Sequence, residues 1–140
     1  EIVMPASRSQ INFKIIDDGI MDGFTTMIKL AGYIMLFAML ADIVHTIPIE
    51  NPIFQCICIG FMEITNGIHA VSLTDVAPLQ KYLLDIAIVN FGGLSGLFQT
   101  ASMMKSTGMR TAVYARFKLQ CSLLGVGFIS FFYFAGTCIL

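Results

Sequence analysis

The chain of 140 residues is 56% hydrophobic and only 12% charged, and its mean hydropathy is +0.81. Soluble domains carry roughly 25% charged residues, so this chain has too few charges to cover a surface that faces water. Its net charge of −1, with no basic face, argues against a nucleic-acid partner. The composition therefore predicts an all-α integral membrane protein, for which the lipid bilayer is the first partner.

The four cysteines lie inside apolar runs, where a free thiol packs as a small hydrophobic group. On a helix, Cys56 and Cys58 would point about 200° apart, and neither a C-x-x-C motif nor a nearby histidine completes a set of ligands. We therefore predict no disulfide, no metal site and no cofactor.

Residues 1–23 form a polar, amphipathic lead-in to the first apolar segment. Phe13, Ile16 and Ile20 fall on one helical stripe, which is typical of a helix that lies in the membrane interface. The polar face is acidic and would not be attracted to anionic lipids, so a solvated lead-in is the favoured interpretation. Because the chain begins without methionine and ends in an apolar run, we also expect it to be a piece of a longer polypeptide.

Four apolar segments follow, at about residues 24–44, 53–73, 83–104 and 119–140. Each is long enough to cross a hydrocarbon layer of about 30 Å, and together they predict a polytopic fold. The loop between the third and fourth segments contains four basic residues and no acidic residue, namely Lys105, Arg110, Arg116 and Lys118. The positive-inside rule predicts that this loop is cytoplasmic.

Counting the basic residues on each side of the membrane distinguishes possible topologies. If the first three segments all cross, the basic residues divide four against three. A third segment that enters and returns as a re-entrant hairpin divides them seven against none, and a re-entrant second segment divides them six against one. The charge pattern therefore favours one re-entrant segment, and we prefer the third because Phe91-Gly-Gly-Leu-Ser-Gly96 is typical of a hairpin tip.

The second segment is interrupted by the polar sequence Phe61-Met-Glu-Ile-Thr-Asn-Gly-Ile-His69, with Glu63 at its centre. A charged side chain in mid-membrane costs roughly 2.5 to 3.5 kcal/mol, so it normally has a partner and faces protein or a water-filled cavity. Thr65 and Asn66 could satisfy backbone groups that a break releases, and Gly67 makes unwinding easier. We predict that these four polar and glycine residues line a substrate-binding site, with a polar clamp between helices as the alternative.

The third segment is interrupted in a similar way, by Asn90-Phe-Gly-Gly-Leu-Ser-Gly-Leu-Phe-Gln99. Close packing of helices is one explanation for its glycines. A pair of interrupted segments, however, is the best sequence indication of a transporter site, in which helix ends and free carbonyls face the solute. The predicted substrate-binding set therefore gains Asn90, Gly92, Gly93, Ser95 and Gln99.

Ser95 also lies in a Gly-x-Ser-Gly sequence, which is similar to that of rhomboid-type intramembrane serine proteases. A nucleophilic serine needs a base within hydrogen-bonding reach. The rhomboid pattern has a histidine after the serine, whereas His45 and His69 both precede Ser95. We therefore predict no catalytic residue and no enzyme activity, and keep the protease as a remote alternative.

Three motifs occur in a characteristic order: residues 24–37, Met62-Glu-Ile-Thr-Asn-Gly67 and residues 91–99, followed by Arg116. In this order they resemble the YlbJ-type sporulation integral membrane proteins, which are nucleoside-recognition or Gate-domain proteins of endospore-forming bacteria. The resemblance covers about residues 15–122 and implies that residues 24–140 are the C-terminal, Gate-type portion of a longer protein. The implied partner is the missing N-terminal half or another membrane subunit.

The resemblance implies transport of a small anionic metabolite, such as dipicolinic acid, across a bacterial cell membrane or forespore membrane. By motif position it carries over a set of seven site residues, namely Glu63, Thr65, Gly67, Gly92, Gly93, Ser95 and Gln99. An anionic Glu63 would repel an anionic solute, so it is expected to orient the lining or to couple protonation to movement. A non-transporting scaffold or assembly partner in sporulation is the alternative from a different class.

Overall fold

A computed structural model describes residues 13–104, 108 and 110–139, with side chains to residue 136. Its regular elements are the helices α1 (Phe13–Thr46), α2 (Pro52–Met62), α3 (Ile64–Leu73), α4 (Pro78–Phe91), α5 (Gly93–Met103) and α6 (Thr111–Ile139). The segments Phe13–Thr46, Pro78–Met103 and Thr111–Gly136 are each long and apolar enough to cross a membrane. The predicted all-α, polytopic fold is therefore confirmed.

The first helix joins the lead-in to the first span without a break. α1 runs for 34 residues, so residues 13–23 of the lead-in form its first turns, and residues 1–12 lie outside the described part of the chain. Most of its apolar side chains are exposed, and only Phe37 and Ala41 are buried. A helix with this distribution has one narrow face against protein and the rest available to lipid.

The second segment doubles back on itself. α2 begins at Pro52, where the Asn51 side chain accepts hydrogen bonds from the N–H groups of residues 53 and 54, and it ends at Met62. The chain then turns, so that Gly67 of α3 packs against the backbone of Gly60 in α2. Farther from the turn, Cys56 Sγ lies 3.1 Å from the hydroxyl oxygen of residue 74. α2 and α3 are therefore antiparallel arms of a hairpin whose tip is at residue 63.

The third segment keeps one direction through its break. α6 packs along both halves: Ser122 Oγ donates to Ala87 O in α4 at 2.9 Å, and Thr100 Oγ1 of α5 lies 3.5 Å from Tyr114 Oη. From the first pair to the second, the residue number rises from 87 to 100 along α4 and α5 and falls from 122 to 114 along α6. Both halves of the third segment therefore run antiparallel to α6, and α4 and α5 continue in the same direction. The prediction that the third segment forms the hairpin, with its tip at residues 91–96, is therefore wrong.

Two span boundaries differ from those expected. α4 begins at residue 78 rather than 83, and α6 begins at residue 111 rather than 119. The expected boundaries were placed after the polar link that ends in Lys81-Tyr82 and after the basic loop that ends at Lys118, but a helix continues through the interface because long basic side chains extend towards the headgroups.

The hairpin provides the centre of the buried core. Its arms pack between α1 and α4, and the cluster of buried residues comprises Ala41, Cys56, Ile59, Ala70, Val71, Leu84 and Ile88. Large apolar side chains on the outer faces of α1 and α6 are exposed, as expected for faces in contact with lipid. The hairpin is therefore held by protein rather than by lipid along much of its length.

Candidate functional site

The two helix breaks contact each other through their backbones. A methyl group placed on the α-carbon of Gly93 would lie 3.2 Å from Met62 O, 3.4 Å from Glu63 Cα and 3.4 Å from Gly60 O. The α4–α5 break therefore lies directly against the tip of the α2–α3 hairpin. A β-carbon at this position would force the Met62 carbonyl to move by a few tenths of an ångström, so glycine favours this close approach.

Glu63 forms the hairpin tip and caps the second arm. Its backbone is extended, with φ −147° and ψ 133°, and only 7% of the residue is exposed. Its carboxylate Oε2 accepts a hydrogen bond of 2.9 Å from the backbone N–H of Asn66. A negative charge at the N-terminus of a helix satisfies free N–H groups and interacts favourably with the helix dipole. The buried carboxylate thus has a structural partner in α3.

The second break is made by two successive glycines in the left-handed region. Gly92 has φ 86° and Gly93 has φ 61°, and each is buried. Residues with a side chain rarely adopt such φ values, because the β-carbon approaches the following carbonyl oxygen. α5 then begins without any side-chain cap at Gly92. Its first turn therefore has backbone N–H groups with no cap beside the hairpin tip.

An aromatic pair links the two breaks on one side. The rings of Phe61, near the end of α2, and Phe91, at the end of α4, stack with centroids 5.2 Å apart and an interplanar angle of 13°. Aromatic pairs contribute about 0.5 to 1.5 kcal/mol beyond the area that they bury. This stack helps to hold the hairpin tip in register with the α4–α5 break.

Lys118 of α6 reaches the same region. A methyl group on Gly92 would lie 3.2 Å from Lys118 Cε and 3.4 Å from its Nζ. The side chain is half-buried, and its ammonium group has no hydrogen bond or ion pair within the described residues. A cation beside the break favours binding of an anion there.

This role of Lys118 was not predicted from sequence, because the residue falls in the loop that was expected to be cytoplasmic. The available signal was its position directly before 22 residues without a charge. Such a position lets the long side chain of a basic residue extend along the start of a membrane span.

The structure brings some of the predicted site residues to the junction of the breaks and leaves others away from it. Ser95 is buried, with 3% of its surface exposed, and its Oγ accepts a hydrogen bond of 2.8 Å from Gln99 Nε2. Thr65 is exposed. Gly67 packs inside the hairpin against α2, and the side-chain amide of Asn90 packs against Gly125 of α6. The last two residues therefore make helix contacts.

Comparison with known proteins agrees with the motifs. The chain is 27% identical over 114 residues to the sporulation integral membrane protein YlbJ of Bacillus subtilis (strain 168). The predicted resemblance is confirmed. The match covers 69% of this chain but 28% of that protein, so the chain spans less than a third of its relative. No family model and no solved structure matches the chain. Together with the three apolar segments that are long enough to cross a membrane, the similarity to YlbJ supports the predicted location in a membrane.

Proposed function

We propose that the chain is part of a solute transporter whose pathway passes the junction of the two helix breaks. The observation that carries this proposal is the backbone contact between Gly93 and the hairpin tip at Met62 and Glu63. In many transporters, discontinuous helices meet near mid-membrane, and their half-helix ends bind the solute or the coupling ion. The junction brings together four helix ends: the C-termini of α2 and α4 and the N-termini of α3 and α5.

The lengths of the helices support a position near mid-membrane. α2 has 11 residues and α3 has 10, so each arm is about 15 to 17 Å long at 1.5 Å per residue. That is roughly half of a hydrocarbon layer of about 30 Å, so we propose that the hairpin is re-entrant. α4, with 14 residues, spans about 21 Å before its break.

We propose a small anionic metabolite, such as dipicolinic acid, as the solute. The name of the relative connects the family with sporulation, and the ammonium group of Lys118 beside Gly92 supplies a cation for a carboxylate. Since the chain spans less than a third of its relative, another part of the polypeptide or a second membrane subunit would complete the pathway.

Each junction residue has a distinct role in the proposed transport. Gly92 and Gly93 keep the backbone open, Lys118 attracts the solute, and Glu63 holds the hairpin tip by capping α3 instead of contacting an anion. We propose no catalytic role for Ser95, because its hydroxyl oxygen accepts a hydrogen bond from the side-chain amide of Gln99 and no histidine is hydrogen-bonded to it within the described residues.

Uptake of radiolabelled dipicolinate into proteoliposomes tests the function. The full-length protein should accumulate it above empty liposomes, and unlabelled dipicolinate should compete. Uptake equal to that of empty liposomes, for dipicolinate and for other small dicarboxylates, would favour a scaffold or assembly partner in the sporulation membrane instead.

Substitution of Glu63 separates its capping role from its charge. Glu63→Gln keeps an oxygen that can accept the Asn66 N–H, so we expect it to retain most of the uptake. Glu63→Ala removes the cap, a change that costs about 0.5 to 2 kcal/mol, and should lower uptake several-fold. Uptake is compared at equal membrane abundance, with the exposed Glu50→Ala as the control. Equal loss in the Gln and Ala variants would show that the charge itself is required.

Substitution of Lys118 tests the nature of the solute contact. Losing one charge-assisted contact of about 1.4 kcal/mol changes affinity tenfold. We therefore expect Lys118→Gln to raise the KM for dipicolinate about tenfold and Lys118→Arg to restore most of the affinity. Arg116→Gln removes an exposed charge two residues away and is the matched control. An unchanged KM in Lys118→Gln would remove this residue from the site.

A further inference from the structure

A polar cleft lies between the end of α3 and the first two turns of α4, at the end of the hairpin opposite its tip. Its polar lining consists of Ser72, Lys81, Tyr82 and Asp85. None of these residues belongs to the junction of the two breaks, because Asp85 precedes Gly92 by seven residues, which is two turns of helix.

The Asp85 carboxyl group is incompletely satisfied. Its Oδ1 atom is buried and has no hydrogen-bond partner, although the residue is only half-buried and lines the cleft. A buried carboxylate oxygen without a donor is costly when the group is ionised. A proton on the carboxyl removes the charge, and the cleft gives water a route to it.

Lys81 lies one turn before Asp85 on the same helix, within reach of its charge. In the structure, however, Lys81 Nζ donates a hydrogen bond of 3.0 Å to Ser72 O. That carbonyl belongs to the last turn of α3, where a basic side chain satisfies free carbonyl groups and opposes the negative end of the helix dipole. Lys81 therefore ties the second arm of the hairpin to α4.

We propose that Asp85 is a proton-binding site whose charge competes with Ser72 O for the ammonium group of Lys81. With a proton from cleft water on the Asp85 carboxyl, Lys81 remains on Ser72 O, which is the arrangement in the structure. When the proton returns to water, the carboxylate attracts Lys81 and the end of α3 is released from α4. Proton binding thus controls how firmly the hairpin is held.

The surroundings of Asp85 favour a proton over a metal ion. Hard cations take several oxygen ligands, whereas the cleft offers a single carboxylate, and the described residues contain no group of three His, Cys, Asp or Glu able to hold a metal. Of the elements packed against α4, α2 has no charged residue; on α6, Lys118 lies beside Gly92 and Arg116 is exposed. On α3 and the link to α4, His69 and Asp75 are exposed.

The proton site has a direct mechanical connection to the proposed solute pathway. Ser72 lies near the C-terminus of α3, and Glu63 caps the N-terminus of this ten-residue helix. Release of Ser72 therefore frees the arm that carries the hairpin tip. The coupling of the proton to solute movement rests on the function proposed above, whereas the proton site itself does not.

Distances between two spin labels, measured by double electron–electron resonance, test the proposed effect of Asp85 protonation on α3 without requiring transport. Spin labels are attached at Leu73→Cys on α3 and Leu123→Cys on α6, both exposed positions, in full-length protein whose native cysteines are replaced by alanine. We expect the distance between the labels to shift from acidic to alkaline pH. Asp85→Asn should lose this shift and keep the acidic distance, and Lys81→Gln should give the alkaline distance at every pH.

Asp75→Asn is the control, because this exposed aspartate lies in the α3–α4 link and should leave the shift intact. A pH shift that persists in Asp85→Asn, or its absence from the unsubstituted protein, overturns the proton site. A shift that depends on Asp85 in a protein without dipicolinate uptake supports the proton site and counts against the transport function.

Discussion

Gly93→Ala should reduce dipicolinate uptake about tenfold or more while leaving the amount of protein in the membrane unchanged. The new β-carbon would lie 3.2 Å from Met62 O, and the residue would have to keep a φ of 61°. Such backbone strain costs on the order of 1 to 3 kcal/mol. The strain would be relieved by separating the α4–α5 break from the hairpin tip, which opens the proposed site.

Gly96→Ala is the matched control for this experiment. Gly96 lies three residues later in α5, and a β-carbon added there meets nothing within 4 Å. We expect uptake close to that of the unsubstituted protein. If the two alanine variants transport equally well, the contact between the breaks is not part of the pathway.

Gly67→Ala should lower the thermal stability of the protein strongly, because it inserts a methyl group into the backbone contact between the hairpin arms. The added carbon would overlap Gly60 Cα and would lie 2.9 Å from Gly60 N. Overpacking of a core typically costs about 1 to 3 kcal/mol, and a contact with backbone leaves no side chain free to move aside. We expect a lower midpoint in thermal unfolding followed by fluorescence in detergent, and little folded protein at growth temperature.

Gly127→Ala should instead raise the midpoint of thermal unfolding. This glycine lies within α6 and a β-carbon there meets nothing within 4 Å. Replacing an unconstrained helical glycine by alanine stabilises a helix by about 0.5 to 1 kcal/mol. A similar fall in the melting midpoint for both variants would mean that the protein tolerates no added methyl group in its helices, and the specific role of the hairpin contact would be lost.

The positions of both helix breaks could be predicted from local sequence. Glu63 and Gly92 interrupt apolar runs with residues that are costly or conformationally unusual in a membrane helix, and the structure breaks at both. Such signals depend on a few neighbouring residues and need no knowledge of the fold. The all-α membrane class followed from the composition of the whole chain, which also needs no knowledge of the fold.

The segment that doubles back could not be chosen in this way. The two hairpin topologies differ in the location of one basic residue, Lys81, which is too small a difference for a charge count to decide. The deciding contact joins Gly60 and Gly67, and Gly60 lies outside the polar motif that drew attention to the second segment. Three-dimensional packing, rather than local preference, selects the hairpin.

The site residues show the same division between local and long-range information. Sequence motifs identified Glu63 and Gly93, but they also included Gly67 and Asn90, which pack against neighbouring helices. Lys118 was not among the predicted site residues, because the start of the fourth span was placed directly after it, at the last charged residue. Residues from a distant helix enter a site through tertiary contacts that no local motif records.

The unequal lengths of the helices have a consequence for membranes of different thickness. With 34 residues, α1 is about 51 Å long and exceeds a hydrocarbon layer of about 30 Å, so it can adapt to hydrophobic mismatch by changing its tilt. The two arms of the hairpin are much shorter than the hydrocarbon layer, so a change of tilt cannot carry the tip deeper into a thicker bilayer. If the hairpin is re-entrant as proposed, a thicker bilayer would leave its tip farther from the bilayer centre, and lipid composition would set the depth of Glu63.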